Sequence, residues 1–159
     1  MIKVKIITLG KLKENYLKSA SAEYEKRLSR FCDLEIIELQ PVSLPENPSA
    51  TQIDNALKTE AEMIEKKIPK DFFVSALCVE GKAISSEEFA EKISNLSAFG
   101  KNICFIIGSS YGLSQSIKEK ADLRLSLSKM TFPHQLFRIM LLEQIYRCFM
   151  INEGSTYHK

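Results

Sequence analysis

ICFIIGSSYGLSQSIKEKADLRLSLSKMTFPHQLFRIMLLEQIYRCFMINEGSTYHK, Ile103 to Lys159, decides the fold. Ile103–Ile107 is an unbroken apolar run of strand length, the pattern of a strand covered on both faces. It feeds a Gly/Ser turn, Gly108 to Gly112. Ser114 can cap a short helix reaching Ala121. Leu123–Leu127 is a second strand, and a polar loop closed by Pro133 follows it. His134–Ile151 is a long apolar helix, and the stretch ends Tyr157-His158-Lys159.

The remaining sequence repeats this alternation. Lys3–Leu9 is β-branched and stops at Gly10. Glu14–Phe31 is helical, with Leu17, Tyr24, Leu28 and Phe31 at helical spacings. Leu34–Leu39 is a strand, and Pro41–Gln52, with three prolines, is a surface loop. Ile53–Ile68 is an amphipathic helix. Phe72–Val79 is another apolar strand, after which Gly81-Lys82 turns the chain. Ser85 and Glu88 form a capping box for a helix from Ser86 to Phe99, stopped by Gly100. Strands alternating with helices predict an α/β fold, with a mostly parallel sheet and helices on both faces.

A chain of 159 residues is expected to be a single domain, 1–159, with a core large enough to need no metal or disulfide. Its net charge of +2 neither requires nor excludes a nucleic-acid partner. The four cysteines, Cys32, Cys78, Cys104 and Cys148, have no metal-ligand spacing, and histidines number two. No metal is expected, and a reduced, cytoplasmic thiol set is the plain reading. Met1 to Lys5 alternates lysine with apolar residues, unlike a secretory signal, and no apolar run approaches a membrane span.

The candidate chemistry clusters in the quoted stretch. Gly108–Leu113 lies beyond the carboxyl end of a strand, where open α/β sheets bind ligands. It lacks the lysine of a phosphate-binding P-loop, and reads equally well as an ordinary βα turn. Leu127-Ser128-Lys129-Met130-Thr131-Phe132 is the outgoing loop of the next strand, and Pro133 suits the first position of the helix. Leu77 can wall the same pocket or simply pack in the core. Glu143 and Arg147, four residues apart, are expected to form a structural ion pair. Arg138 can face a phosphate. Tyr157 and His158 are residue types that stack on bases and move protons, although residues in such a position often fray. The last helix is apolar most of the way round, so a homodimer is expected to cover the extra face; a core helix in a monomer is the alternative.

Taken together, several segments resemble the bacterial ribosomal RNA large subunit methyltransferase H family of the SPOUT superfamily. They are Phe105–Gly108 with Gly112-Leu113, Leu125–Gln135, Arg138, Glu143–Arg147 and Tyr157-His158-Lys159. Ile7–Lys13 and Glu23–Leu28 fit as well, so the resemblance spans the chain. It implies a SPOUT-type fold with a deep trefoil knot over about residues 103–159, something periodicity could not supply because chains are as a rule unknotted. It also implies a homodimer that transfers a methyl group from S-adenosylmethionine to N3 of a pseudouridine. The target lies in the helix 69 loop of 23S ribosomal RNA on the assembled ribosome. The cofactor contacts it implies are Leu77, Gly108, Leu127, Ser128, Lys129, Met130, Thr131 and Phe132. His158 is the candidate for proton handling, Arg138 for anion stabilisation and Tyr157 for stacking on the target base. Two departures stand out. Ser109 replaces a frequent glycine and would be strained at positive φ. Thr156 replaces a frequent proline before Tyr157. A cofactor-free RNA-binding module and a small enzyme acting on a nucleotide-like metabolite are the competing classes.

Overall fold

Five strands, β1 Ile2–Leu9, β2 Cys32–Leu39, β3 Phe73–Ala83, β4 Ile103–Ile107 and β5 Leu123–Ser126, form one sheet in the order β2-β1-β4-β3-β5. Every pairing is parallel. The computed structural model describes residues 1–159. Five helices connect and follow the strands: α1 Asn15–Leu28, α2 Ala50–Glu65, α3 Ser86–Ala98, α4 Gln115–Lys120 and α5 His134–Asn152.

Strand alternation divides the core between the two faces of the sheet. Ile2, Val4 and Ile6 of β1, Ile103, Phe105 and Ile107 of β4, and Leu125 of β5 pack with α1, α3 and α5. Phe89 of α3 meets Phe105 edge to face, with centroids 5.9 Å apart. Ile7 and Leu9, with Cys104 and Ile106, point the other way, onto Ala61 and Ile64 of α2 and Ile117 of α4. The helices therefore do lie on both faces, as the alternating pattern requires.

Two expectations are corrected. Helix α2 begins at Ala50, three residues earlier than its apolar periodicity suggested, because Ser49 and Gln52 form a reciprocal capping box. That is the same S-x-x-Q/E signal that correctly placed the start of α3 at Ser85 and Glu88. Gly81-Lys82 is not a turn. Strand β3 runs on to Ala83, with a register shift against β5 between Leu77 and Lys82. A Cβ on Gly81 would lie 2.8 Å from the backbone carbons of Arg124 and Leu125, so glycine there allows the bulged strand to press on β5.

Helix α5 packs against both α1 and α3. Phe149 stacks on Phe31 at 5.5 Å, and Tyr146 meets Tyr24 and Phe31 at 6.3 and 6.2 Å. Most of its apolar circumference is thus covered within one chain, and Leu136 is its one exposed apolar residue.

Candidate active site

The loops leaving β4 and β5 and the middle of β3 enclose a cleft of about 300 Å³. Its walls include Leu77, Gly108, Leu127, Ser128, Met130, Thr131 and Phe132, seven of the eight expected cofactor contacts. Lys129 is not among the lining residues. The volume sits at the lower end of small-molecule sites, which run from roughly 300 to 1,000 Å³. About half of the lining residues are apolar, and the rest offer serine hydroxyls and loop backbone.

The loop after β4 is folded tightly on itself. Gly112 N donates to Ser109 O at 2.8 Å, and Gly112 takes φ +82°. A Cβ on Gly108 would fall 2.3 Å from Gly112 O, so no side chain fits there. Ser109 is not strained, since Asp71 is the only non-glycine residue at positive φ. The serine hydroxyl instead donates to Glu60 Oε1 at 2.8 Å, and Glu60 Oε2 accepts from Val42 N at 2.9 Å. Glu60 is buried, so one carboxylate of α2 ties the cleft loop to the proline-rich loop after β2. Ser109→Ala leaves Glu60 Oε1 without its donor and is expected to cost about 1–3 kcal/mol of folding stability. A shift of the urea midpoint without a change in slope would show it.

The loop after β5 is shaped by its serines. Ser126 Oγ donates to Ser128 O at 2.9 Å, and Met130 N donates to Ser128 Oγ at 3.0 Å. Met130 and Phe132 are left exposed at the rim. Pro133 is the N-cap of α5, one position before the first helical turn where it was expected. His134 and Phe137, from that turn, also line the cleft, as does Lys118 of α4, which pairs with Glu80. The ion pair with Lys118 holds the Glu80 carboxyl below its usual range. Burial, and then Arg138 and Lys13, push the His134 imidazole down. Sequence reasoning did not assign Glu60, Lys118 or Phe137 to the site, because each joins it only through the packing of another element.

Arg138 is elsewhere. Its side chain is buried, Nη2 donates to Glu38 Oε2 at 2.8 Å and to Gly10 O at 3.1 Å, and Nε has no partner. The guanidinium expected to face a phosphate is thus already paired within the chain, outside the cleft lining, and it fastens α5 to the carboxyl ends of β1 and β2.

Tyr157 and His158 do not line the cleft. They dock on the same chain's helices despite Thr156. Tyr157 meets Tyr146 edge to face at 5.1 Å and donates from its hydroxyl to Glu143 Oε1 at 3.2 Å. Burial and the Glu143 carboxylate push that hydroxyl up. Glu143 also pairs with Arg147 at 2.6 Å, the structural pair the spacing predicted. Arg147 Nη1 lies 3.1 Å from His158 Nδ1, and Glu87 Oε1 lies 2.7 Å from His158 Nε2. Arginine can only donate, so Nδ1 is the acceptor and Nε2–H donates to Glu87. Between this tail and the cleft lies a second cavity of about 230 Å³, which shares Ser126 and Leu127 with the cleft and Glu143 with the tail.

Comparison with known proteins follows the same path. The family model described as "Predicted SPOUT methyltransferase" matches residues 2–158. The ribosomal RNA large subunit methyltransferase H of Clostridium kluyveri is 53% identical over 157 residues, covering 98% of this chain and 99% of that protein. The protein of the same name from Streptococcus suis is 50% identical over 159 residues, covering 99% of this chain and all of that protein. Among solved structures, "a probable methylase family protein" from Haemophilus influenzae superposes with a TM-score of 0.56 at 16% identity, covering 96% of this chain and 67% of that one. That likeness supports the fold alone. With a family match along nearly its whole length and half its residues shared with full-length relatives, this chain belongs to the ribosomal RNA large subunit methyltransferase H family of SPOUT methyltransferases.

Proposed function

We propose that this protein methylates N3 of a pseudouridine in the helix 69 loop of 23S ribosomal RNA, using S-adenosylmethionine and acting as a cytoplasmic homodimer on the assembled ribosome. One observation carries the reading. Seven residues that the family resemblance nominates as cofactor contacts, from three separate chain segments, meet in one cleft. Curated relatives named for this methyltransferase share half of the sequence over their full length. The single domain over 1–159 and the knotted path over 103–159 belong to the same proposal. One continuous sheet from β1 to β5 supports the single domain, and the knotted path is what the family resemblance implies.

The cleft suits the cofactor. Leu77, Leu127 and Phe137 supply apolar walls for an adenine ring, and the loops at 108–112 and 127–132 bring serine hydroxyls and backbone groups beside them. Gly108, without a side chain, leaves the backbone open to close approach. Lys129, outside the lining, is assigned a contact by the resemblance alone. When bound, the cofactor supplies an electrophilic methyl group on a sulfonium. The protein's own task is to orient the target base and to handle the proton on its N3. His158 is the proposed proton acceptor and Tyr157 the proposed stacking partner, whereas Arg138 is reassigned to holding α5 in place.

As docked, His158 has both ring nitrogens engaged and stands outside the cleft of its own chain. The tail therefore acts in this proposal on the cleft of a second subunit, with Leu136, Met140 and Met150 along the outer side of α5 as the apolar contact. No helix is long and apolar enough to cross a membrane.

The test is transfer of tritiated methyl from S-adenosylmethionine to ribosomes lacking this modification, with the product mapped by mass spectrometry. Label on a helix 69 pseudouridine is expected. Label elsewhere, or turnover on a free nucleotide, would replace the substrate assignment. Absence of cofactor binding would favour an RNA-binding module.

Cysteine labelling gives an independent check on the cleft. Burial pushes the Cys32 and Cys104 thiols up to about 12, and Cys148 higher still. Cys78 lines the cleft and is only partly buried, with its thiol raised by burial and then by Glu80. A maleimide at pH 8 is expected to modify Cys78 first, and saturating S-adenosylmethionine to protect it. Peptide mapping with and without cofactor reads both.

A further inference from the structure

The carboxylate of Glu60 has no part in the proposed chemistry, yet it is buried and both of its oxygens are taken. Helix α2 carries it to a point where two loops meet. Oε1 accepts from Ser109 Oγ at 2.8 Å, and Oε2 accepts from Val42 N at 2.9 Å. Withdrawing such a group from water is costly unless its hydrogen bonds are replaced, so both partners are needed where they stand.

Each loop depends on this one group. Pro41, Pro45 and Pro48 deprive the loop after β2 of three backbone donors. No backbone–backbone hydrogen bond begins or ends in residues 41–48. Val42 and Leu44 are half-buried, but neither packs on the core of either sheet face. The bond from Val42 N to Glu60 is the hydrogen bond that fastens this segment to the rest of the molecule. On the other side, Ser109 directly follows Gly108 and lines the cofactor cleft. Its carbonyl closes the loop by accepting from Gly112 N, and its hydroxyl ties the closed loop to α2 through Glu60. A segment with a single polar anchor takes its position from that anchor. Holding the cleft loop in one shape therefore also holds Val42, and by linkage the effect runs equally in both directions.

We propose that Glu60 is a positioning residue for the cofactor loop and couples that loop to segment 41–48, so that filling the cleft firms the segment and cutting the tie weakens cofactor binding. This rests on the reading above that the cleft holds S-adenosylmethionine. Glu60 is not among the residues that line the cleft, and it acts through Ser109. Anything that holds 41–48 in place would raise cofactor affinity by the same factor with which the cofactor favours the held segment.

The experiment follows backbone hydrogen exchange by mass spectrometry in wild type, Ser109→Ala and Glu60→Gln, with and without saturating S-adenosylmethionine. In wild type, the cofactor is expected to slow exchange severalfold in peptides spanning 41–48. Ser109→Ala cuts the tie at the cleft end and should lose that protection even at saturating cofactor. Its affinity for S-adenosylmethionine should fall roughly 3- to 10-fold, as for the loss of one hydrogen bond. Glu60→Gln keeps an acceptor for Val42 N, and its amide can donate to Ser109 Oγ, so it should retain the protection. A serine that merely touched the cofactor would lose affinity on substitution yet leave 41–48 protected once the cleft is full. Thermal melts score the folding of each variant. Wild-type protein that binds cofactor without protecting 41–48, or protection that persists in Ser109→Ala, would overturn the coupling alone. Wild-type protein that binds no S-adenosylmethionine would overturn the reading of the cleft and this inference with it.

Discussion

Gly108→Ala is expected to weaken S-adenosylmethionine binding roughly 10- to 100-fold. The added methyl would lie 2.3 Å from Gly112 O and 2.4 Å from Gly112 C, far inside contact distance. Both are backbone atoms of a loop closed by its own hydrogen bond, so no side chain can swing away to make room. Relief of such overpacking costs about 1–3 kcal/mol. If the loop absorbs that cost by leaving its cofactor-competent shape, the loss in affinity follows at tenfold per 1.4 kcal/mol. Gly112→Ala is the informative contrast. Gly112 has φ +82° but open space around its Cα, so alanine there meets only backbone strain of about 1–2 kcal/mol. Calorimetry on both variants, with thermal melts to score folding, should rank Gly108→Ala as the more damaging. Equal and wild-type affinities would mean that this loop does not form the cofactor site.

The second large effect is expected at the tail. His158→Ala should lower single-turnover methyl transfer to ribosomes by roughly 10²- to 10⁴-fold, the usual range for loss of a general base. Cofactor affinity should stay near the wild-type value, since His158 does not line the cleft of its own chain and its proposed task in the partner's cleft is on the base and not on the cofactor. A positioning role and a proton-transfer role separate in the pH–rate profile. Loss of a base removes the rising limb, whereas a misplaced tail lowers the whole profile without changing its shape. Glu87→Gln offers a complementary reading. It weakens the contact that holds Nε2 at 2.7 Å on the docked tail and leaves the ring intact. Unchanged transfer by His158→Ala would sink the assignment and leave Tyr157-His158 as a packing element against Glu143, Arg147 and Tyr146.

The cleft was legible in the sequence because its parts are local. A buried strand followed by glycines and a serine-rich loop before a proline is readable within ten residues, and both loops lie where parallel strands deliver their carboxyl ends. Leu77 joined them by its place along β3. What escaped were residues recruited by packing. Glu60 sits mid-helix in α2 with nothing nearby in sequence to mark it, and its role appears only because Ser109 lies 2.8 Å away, 49 residues further along the chain. Arg138 looked like a free cation on a helix. Its carboxylate partner, Glu38, stands 100 residues earlier.

Strand and helix identity, the two-sided core and the caps at Ser85 and Ser114 follow from the sequence by itself, since apolar periodicity and capping depend on neighbours a few residues apart. The family, too, was readable from motifs. The strand order β2-β1-β4-β3-β5, the bulge that presses Gly81 onto Arg124, the burial of Arg138 and the docking of Tyr157 and His158 onto α5 and α3 were decided only by the tertiary structure. Each depends on which distant segments come to lie side by side. That choice is made by burial of whole faces and by long-range hydrogen bonds, and no local period in the chain records it.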